Sequence, residues 1–298
     1  MFELTPPRVE GTATVRQGRK MGYAEFGTAT GRTVLWFHGT PGARRQIPED
    51  ARRMAAALDL RIIGVDRAGT GRSTRYLYKH ILDSAVDTEM LLDQLDVDRF
   101  AVVGLSGGGP YALATAYAMP DRVVAAGILG GVVPNVGPES IEGGVVGSLA
   151  GLRGTLPWVR LPLSRLLQVL IFALGPVGSP ALDLFARFSP EGDRIVLQRD
   201  DIKAMFLEDL MGNSRGGLAG PLNDLSLFLR PWGFSVRDIT VPVRWWHGDA
   251  DHFVPLAHAR HLVPLIPGAE LFIRHGESHL GGLGAAEEVI SRLLELWP

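Results

Sequence analysis

The chain has 298 residues, a formal net charge of −2 and no cysteine, which excludes disulfides, a thiol nucleophile and a cysteine-based zinc site. With 46% hydrophobic and 21% charged residues, it has the make-up of an ordinary folded protein, long enough for one large α/β domain or a core with an inserted subdomain. No basic tract stands out, so no nucleic-acid partner is expected, because binding a phosphate backbone needs clustered Lys and Arg.

The N-terminal residues carry no basic segment followed by an apolar run, and the longest purely apolar run, Val169 to Leu174, is too short to span a bilayer. A soluble, cytoplasmic protein is the expectation, and a homodimer is compatible with the sequence.

Arg8 to Phe26 has no helical periodicity and fits a hairpin of edge strands. Thr33 to Phe37 is a short run of β-formers ending at His38-Gly39, and it reads as a buried strand. Arg44 to Leu58 has a helix-like composition, and Arg61 to Asp66 reads as the next strand, closed by Gly69-Thr70-Gly71. Ser84 to Leu95 is predicted as an amphipathic helix with Val86, Met90, Leu91 and Leu95 on one face, its start marked by Ser84 and Asp87 at capping-box spacing. A buried strand over Phe100 to Leu105, a small-residue helix over Gly107 to Met119 and a strand over Arg122 to Leu129 follow. Such alternation implies βαβ units and a mostly parallel sheet.

From about Pro134 to Trp232 the alternation stops. This segment is expected to be mostly helical, with Leu161 to Leu174 and Asp201 to Leu210 as its clearest helices. The α/β rhythm then returns with a strand over Val241 to His247, a helix over Pro255 to Leu265, a strand over Glu270 to Arg274 and a closing helix over Ala285 to Leu296. The expected organisation is an α/β core, residues 1–133 and 233–298, interrupted by a helical insertion, residues 134–232.

Gly104-Leu105-Ser106-Gly107-Gly108 matches G-x-S-x-G between a predicted strand and a predicted helix. A serine on so sharp a turn has a strained backbone with no room for neighbouring side chains, which Gly104 and Gly108 remove. Gly107 offers its N–H at a helix N-terminus, where partial positive charge favours an oxyanion. Pro110 is tolerated in a first helical turn. A competing reading, the dinucleotide pattern G-x-G-x-x-A on Gly107, Gly109 and Ala112, needs an acid at the end of the next strand, and that strand ends in Gly130-Gly131-Val132.

A serine hydroxyl needs a histidine base held in one tautomer by a carboxylate. The strand over Val241 to His247 runs into two acids, Asp249 and Asp251, and the strand over Glu270 to Arg274 runs into two histidines, His275 and His279. His258 and His261, spaced i, i+3, could hold a metal, but no carboxylate cluster accompanies them and a solvated helix face is favoured.

Over nearly its whole length the sequence resembles the α/β-hydrolase superfamily. The resemblance rests on His38-Gly39-Thr40-Pro41-Gly42, on the loop with Asp66, Gly69, Gly71 and Ser73, on the serine pentapeptide, on G-x-x-D-x-x-V-P at Gly248 to Pro255, and on G-x-x-H at Gly276 to His279. It implies that fold, a mostly parallel central sheet flanked by helices with an inserted helical cap, and the chain order Ser106, Asp251, His279 for nucleophile, acid and base. It also implies an oxyanion hole from the Thr40 and Gly107 N–H groups, with His38 orienting the loop and Gly39 and Gly42 supporting it. No cofactor or metal is implied, and the partner is a small-molecule substrate.

In the family an insertion at this point forms a cap over the site. Leu163, Leu166, Leu167, Leu170, Ile171 and Leu174 form a broad apolar face, which packs on the core or lines an apolar substrate pocket. Serine at the elbow and the lack of cap tyrosines weaken the dehalogenase and epoxide hydrolase subclasses. The expected activity is hydrolysis of a small, largely apolar carboxylic ester. Carbon–carbon bond hydrolases, perhydrolases, proline iminopeptidases, lyases with the same three residues and non-catalytic ligand-binding members stay open.

Overall fold

The computed structural model describes residues 2–156, 158–160, 162–164, 186–187, 189–214 and 219–297. Its strands are β1 (Val9–Thr14), β2 (Lys20–Gly27), β3 (Arg32–Phe37), β4 (Leu60–Val65), β5 (Phe100–Leu105), β6 (Val123–Leu129), β7 (Val243–Gly248) and β8 (Glu270–Arg274). They form one sheet in the order β1-β2-β4-β3-β5-β6-β7-β8. The β1–β2 and β2–β4 pairs are antiparallel and the other five are parallel. β5 and β6 are buried at every residue, which explains their unbroken apolar sequence, since both faces of a parallel sheet are covered.

The pleat sends alternate residues to two cores. Leu35, Phe37, Val102 and Trp245 point to one side, where α2 (Asp83–Gln94), α3 (Gly109–Ala118) and α8 (Leu256–Leu262) pack. Val34, Trp36, Val103 and Trp246 point to the other, against α1 (Glu49–Ala57) and α10 (Ala286–Glu295). α10 buries Ala286, Val289, Ile290 and Leu293, the spacing of a one-sided apolar stripe. A short helix, α9 (Gly281–Gly284), precedes it.

Between β6 and β7 the described elements are helical: α4 (Gly144–Ser148), α5 (Glu191–Gln198), α6 (Asp200–Ser214) and α7 (Ala219–Phe228). Val196, Ile202 and Met205 join the core on the α1–α10 side. Leu163 packs beside Leu156, Leu222 and Leu229. Apart from residues 162–164, the helix expected over Leu161 to Leu174 lies outside the described residues, and so do Leu166, Leu167, Leu170, Ile171 and Leu174. No described helix is long and apolar enough to cross a membrane.

Four local expectations are corrected. β2 is not an edge, because β4 pairs with its free side. The helix expected from Arg44 begins only at Glu49, because the preceding residues are held as a loop, with the Arg44 N–H on Asp66 and Arg52 donating to the carbonyls of Arg45 and Ile47. Ser84 and Asp87 form no capping box: Ser84 donates to the Ile81 carbonyl, and Asp87 is buried among Arg16, Arg19 and Tyr78. Val86, 43% exposed, faces solvent rather than the apolar side of its helix.

Candidate active site

The loops after β3, β5, β7 and β8 meet at the C-terminal ends of the parallel strands, where ligands of open α/β sheets bind. Ser106 follows β5 directly, with φ of +50°, a left-handed conformation that non-glycine residues adopt at a cost of about 1–3 kcal/mol. The turn has no room for side chains. A Cβ on Gly104 would lie 2.6 Å from the Gly108 carbonyl oxygen, and one on Gly108 would lie 2.3 Å from that of Phe37.

The structure brings Ser106, His279 and Asp251 into one chain of hydrogen bonds. Ser106 Oγ lies 2.8 Å from His279 Nε2, and His279 Nδ1 lies 2.8 Å from Asp251 Oδ2. A carboxylate only accepts, so Nδ1 carries the proton and Nε2 is left to accept from the serine. Asp251 Oδ1 is held by the N–H groups of Phe253 and Val254. His247, donating through Nε2 to the Val254 carbonyl, closes the same turn 3.5 Å from Asp251 Oδ2.

The rival acid and base pair with each other. His275 Nδ1 and Asp249 Oδ2 are 2.8 Å apart on the surface, and His275 is 85% exposed. His258 and His261 form neither a metal pair nor a solvated face. Their Nε2 atoms reach the Glu142 and Glu139 carbonyls, where the chain leaves the core.

His38 is buried, and burial together with the Arg67 guanidinium holds it well below the ordinary histidine range. It is neutral, donating from Nδ1 to the Gly39 carbonyl. The Gly39 N–H donates to Gln46 Oε1 at 2.6 Å, and a Cβ on Gly42 would lie 2.4 Å from that same atom. Thr40 and Gly107 face each other so closely that a Cβ on Gly107 would lie 2.2 Å from Thr40 Oγ1. Among the described residues neither the Thr40 nor the Gly107 N–H is taken by a protein acceptor. The Ser106 carbonyl, in the same peptide unit as the Gly107 N–H, is engaged by Val132. Both N–H groups are therefore available to a ligand beside Ser106.

Asp66 anchors the loop after β4. Fully buried, it accepts from the N–H groups of Arg44 and Arg72, and its carboxyl is pushed up by burial.

Three buried acids of the segment between β6 and β7 reach these loops, and sequence reasoning singled out none of them. Asp193 on α5 accepts from Ser278 Oγ at 3.0 Å and from the Leu280 N–H at 2.6 Å, gripping both neighbours of His279. Asp224 on α7 pairs with Arg67 and accepts from Thr40 Oγ1 at 2.7 Å. Asp209 on α6 takes the Ala43 N–H, while its Oδ1 has no partner among the described residues. The available signal was a lone acid in an apolar setting, as in Pro221-Leu222-Asn223-Asp224-Leu225.

Burial, with the Asp66 carboxylate nearby, pushes the Asp209 carboxyl up to about 8. The folded chain then binds a proton that the unfolded chain releases near pH 4, so stability falls as pH rises from about 4 to about 8. Asp209→Asn is expected to stabilise the protein by on the order of 3 kcal/mol at pH 8 and by little at pH 4. Thermal denaturation at both pH values checks this, and a pH-independent Tm difference contradicts it.

A cavity of about 250 Å³ opens at Ser106 and His279. Leu105, Leu197, Phe206, Phe253, Leu280 and Leu283 make its walls largely apolar. Asp193 is the one carboxylate among its described lining residues, and both of its oxygens are occupied.

Residues 32–157 match the family model described as alpha/beta hydrolase fold. The chain is 28% identical over 251 residues to rhodomycin D methylesterase DauP of Streptomyces sp. (strain C5), covering 80% of this chain and 81% of that protein. It is 31% identical over 126 residues to proline iminopeptidase of Neisseria meningitidis serogroup A, covering 41% of this chain and 40% of that one. Among solved structures, the esterase RhEst1 from Rhodococcus sp. ECU1013 superposes with a TM-score of 0.67 at 23% identity, over 97% of this chain and 99% of that one. The sheet order, the family match over residues 32–157 and the likeness to the methylesterase over 80% of the chain agree: the chain has the α/β-hydrolase fold and is similar to hydrolases.

Proposed function

We propose that the protein is a serine hydrolase that cleaves a small, largely apolar carboxylic ester through Ser106, His279 and Asp251. The observation that carries this reading is the unbroken hydrogen-bonded chain from Ser106 Oγ through His279 to Asp251, opening on an apolar cavity. Ser106 Oγ attacks the carbonyl carbon as its proton passes to His279 Nε2, and the carbonyl oxygen becomes an oxyanion. The Thr40 and Gly107 N–H groups receive that charge. The carbon–oxygen bond to the leaving group breaks, and His279 returns the proton to the departing alcohol. Water then attacks the acyl-enzyme, giving its proton to His279, and the carboxylic acid leaves as Ser106 Oγ recovers a proton. Asp251 holds His279 in the required tautomer and stabilises the imidazolium. No step needs a metal or cofactor.

Residues 134–232 act in this reading as a cap that excludes water and shapes the pocket. Leu197 and Phe206 of that segment line the cavity, whose volume lies below the roughly 300–1,000 Å³ usual for sites of drug-sized ligands. The methylesterase likeness favours an ester among the carbonyl substrates. A peptidase recognising a free amino terminus needs an available carboxylate in the pocket, and Asp193 is occupied.

Short p-nitrophenyl esters test the reading. A burst of p-nitrophenol about equal to the enzyme concentration, followed by slower steady turnover, is expected when the acyl-enzyme accumulates. Absence of any turnover across acetate, butyrate and hexanoate overturns it.

A further inference from the structure

Arg67 follows β4 and is buried, with its side chain only 2% exposed. Its guanidinium spends its donors on one loop and one acid. Nη1 donates to the His38 carbonyl, and Nη2 donates to the Gly39 carbonyl at 2.9 Å and to Thr40 Oγ1 at 2.8 Å. Nε and Nη2 also donate to Asp224, at 3.1 Å and 2.5 Å. Asp224 in turn accepts from Thr40 Oγ1 at 2.7 Å. The arginine belongs to the core, the aspartate to α7 of the insertion, and the loop between them carries Thr40.

The peptide unit between Gly39 and Thr40 is planar and trans, so its C=O and N–H point in opposite directions. Holding the Gly39 carbonyl on Arg67, with His38 Nδ1 on the same oxygen at 2.7 Å, turns the Thr40 N–H away from the guanidinium. Thr40 lines the cavity at Ser106.

We infer that Arg67 and Asp224 form a latch that aims the Thr40 N–H at the developing oxyanion, so that the site is complete only when α7 is seated on the sheet. The inference rests on the roles proposed above for Ser106 and Thr40. Both latch residues are positioning residues; neither touches the cavity. Without Asp224 the buried guanidinium loses its counter-charge and its fixed direction, and the loop carbonyls lose their anchor. A pair serving the fold alone contributes stability and leaves the chemical step unchanged in any variant that still folds.

The test compares Asp224→Asn, Thr40→Val, Thr40→Ser and Tyr111→Phe. Tyr111 donates to Asp224 Oδ1 at 2.7 Å and has no hydrogen bond to the loop carbonyls, so its variant weakens the same acid without freeing the loop. Hydrolysis of p-nitrophenyl acetate gives kcat and KM, thermal denaturation gives Tm, and amide hydrogen exchange in the peptide over residues 36–43 reads the loop without substrate.

For Asp224→Asn, kcat is expected to fall about 10- to 100-fold, somewhat less than for outright loss of an oxyanion donor, with KM within about threefold and faster exchange in the loop. Thr40→Val should fall likewise and Thr40→Ser should retain activity, which keeps the test alive if Asp224→Asn does not fold. Tyr111→Phe is expected to lower Tm with kcat within about twofold. The latch is overturned if folded Asp224→Asn or Thr40→Val keeps wild-type kcat, or if loop exchange is unchanged in both. A wild type without turnover sinks the esterase reading instead, and loop exchange then judges the latch by itself.

Discussion

Replacing Ser106 by alanine is expected to lower kcat for a p-nitrophenyl ester by about 10⁵- to 10⁶-fold with KM little changed, the effect seen when a nucleophile acting as a unit with its base is removed. The cavity walls and the Thr40 and Gly107 N–H groups remain in the variant, so binding persists while attack does not. Ser106→Gly provides the control for folding. It removes the same hydroxyl but relieves a φ of +50°, so Tm should rise, by an amount equivalent to about 1 kcal/mol, while activity is lost. A loss of activity accompanied by higher stability cannot come from misfolding. Steady-state kinetics and thermal denaturation of both variants check this, and an alanine variant within tenfold of wild-type kcat removes Ser106 from the mechanism.

Asp251→Asn is expected to lower kcat by about 10⁴-fold, whereas Asp249→Asn should stay within about twofold of wild type. The two acids are two residues apart, yet their partners differ. Asp251 receives His279 Nδ1 on one oxygen and two backbone N–H groups on the other. An asparagine can present its NH₂ to the ring, which reverses the tautomer and places a proton on Nε2, where the Ser106 hydroxyl needs an acceptor. Asp249 is exposed, and the hydrogen bonds it accepts from His275 and from the Gly276 N–H hold its carboxyl below its ordinary range. Its loss frees a surface loop. The kcat ratio of the two variants, measured at one pH, is the check; a larger loss for Asp249→Asn moves the acid role to that residue.

The strand-end motifs were legible because their chemistry is local. A strained serine needs glycines within two residues, and the acid and base lie within five residues of the ends of their strands. The parallel sheet was legible for a similar reason: strands buried on both faces, such as Phe100 to Leu105, read as unbroken apolar runs. The sequence offered Asp249 beside Asp251 and His275 beside His279 and favoured Asp251 and His279 through the family resemblance; in the fold Asp249 and His275 form a surface pair, and Asp251 and His279 are joined to Ser106.

The contribution of the helices between β6 and β7 was not legible. α7 went unread because its buried face includes Asn223, Asp224 and Ser226, polar residues that hide an apolar stripe. Asn223 and Asp224 are buried because partners over a hundred positions away satisfy them, Arg67 and Tyr111 for Asp224 and the Ala68 and Tyr76 carbonyls for Asn223, while Ser226 donates back to the Leu222 carbonyl. Asp193 is bound to the His279 loop across a comparable separation. A periodic pattern reports which side of a helix is dry but not which buried polar atom has found a partner. The start of α1 failed similarly, because the residues before it are held by the buried carboxylate of Asp66 and the side chain of Arg52.

The central claim is that Ser106 is the activated nucleophile, and covalent labelling tests it most directly. Incubation with a fluorophosphonate, digestion and mass spectrometry should place one phosphonyl group on the peptide containing Ser106, with its rate strongly reduced in His279→Ala and no adduct in Ser106→Ala. A wild-type protein that takes up no label, or takes it up on another residue, contradicts the account.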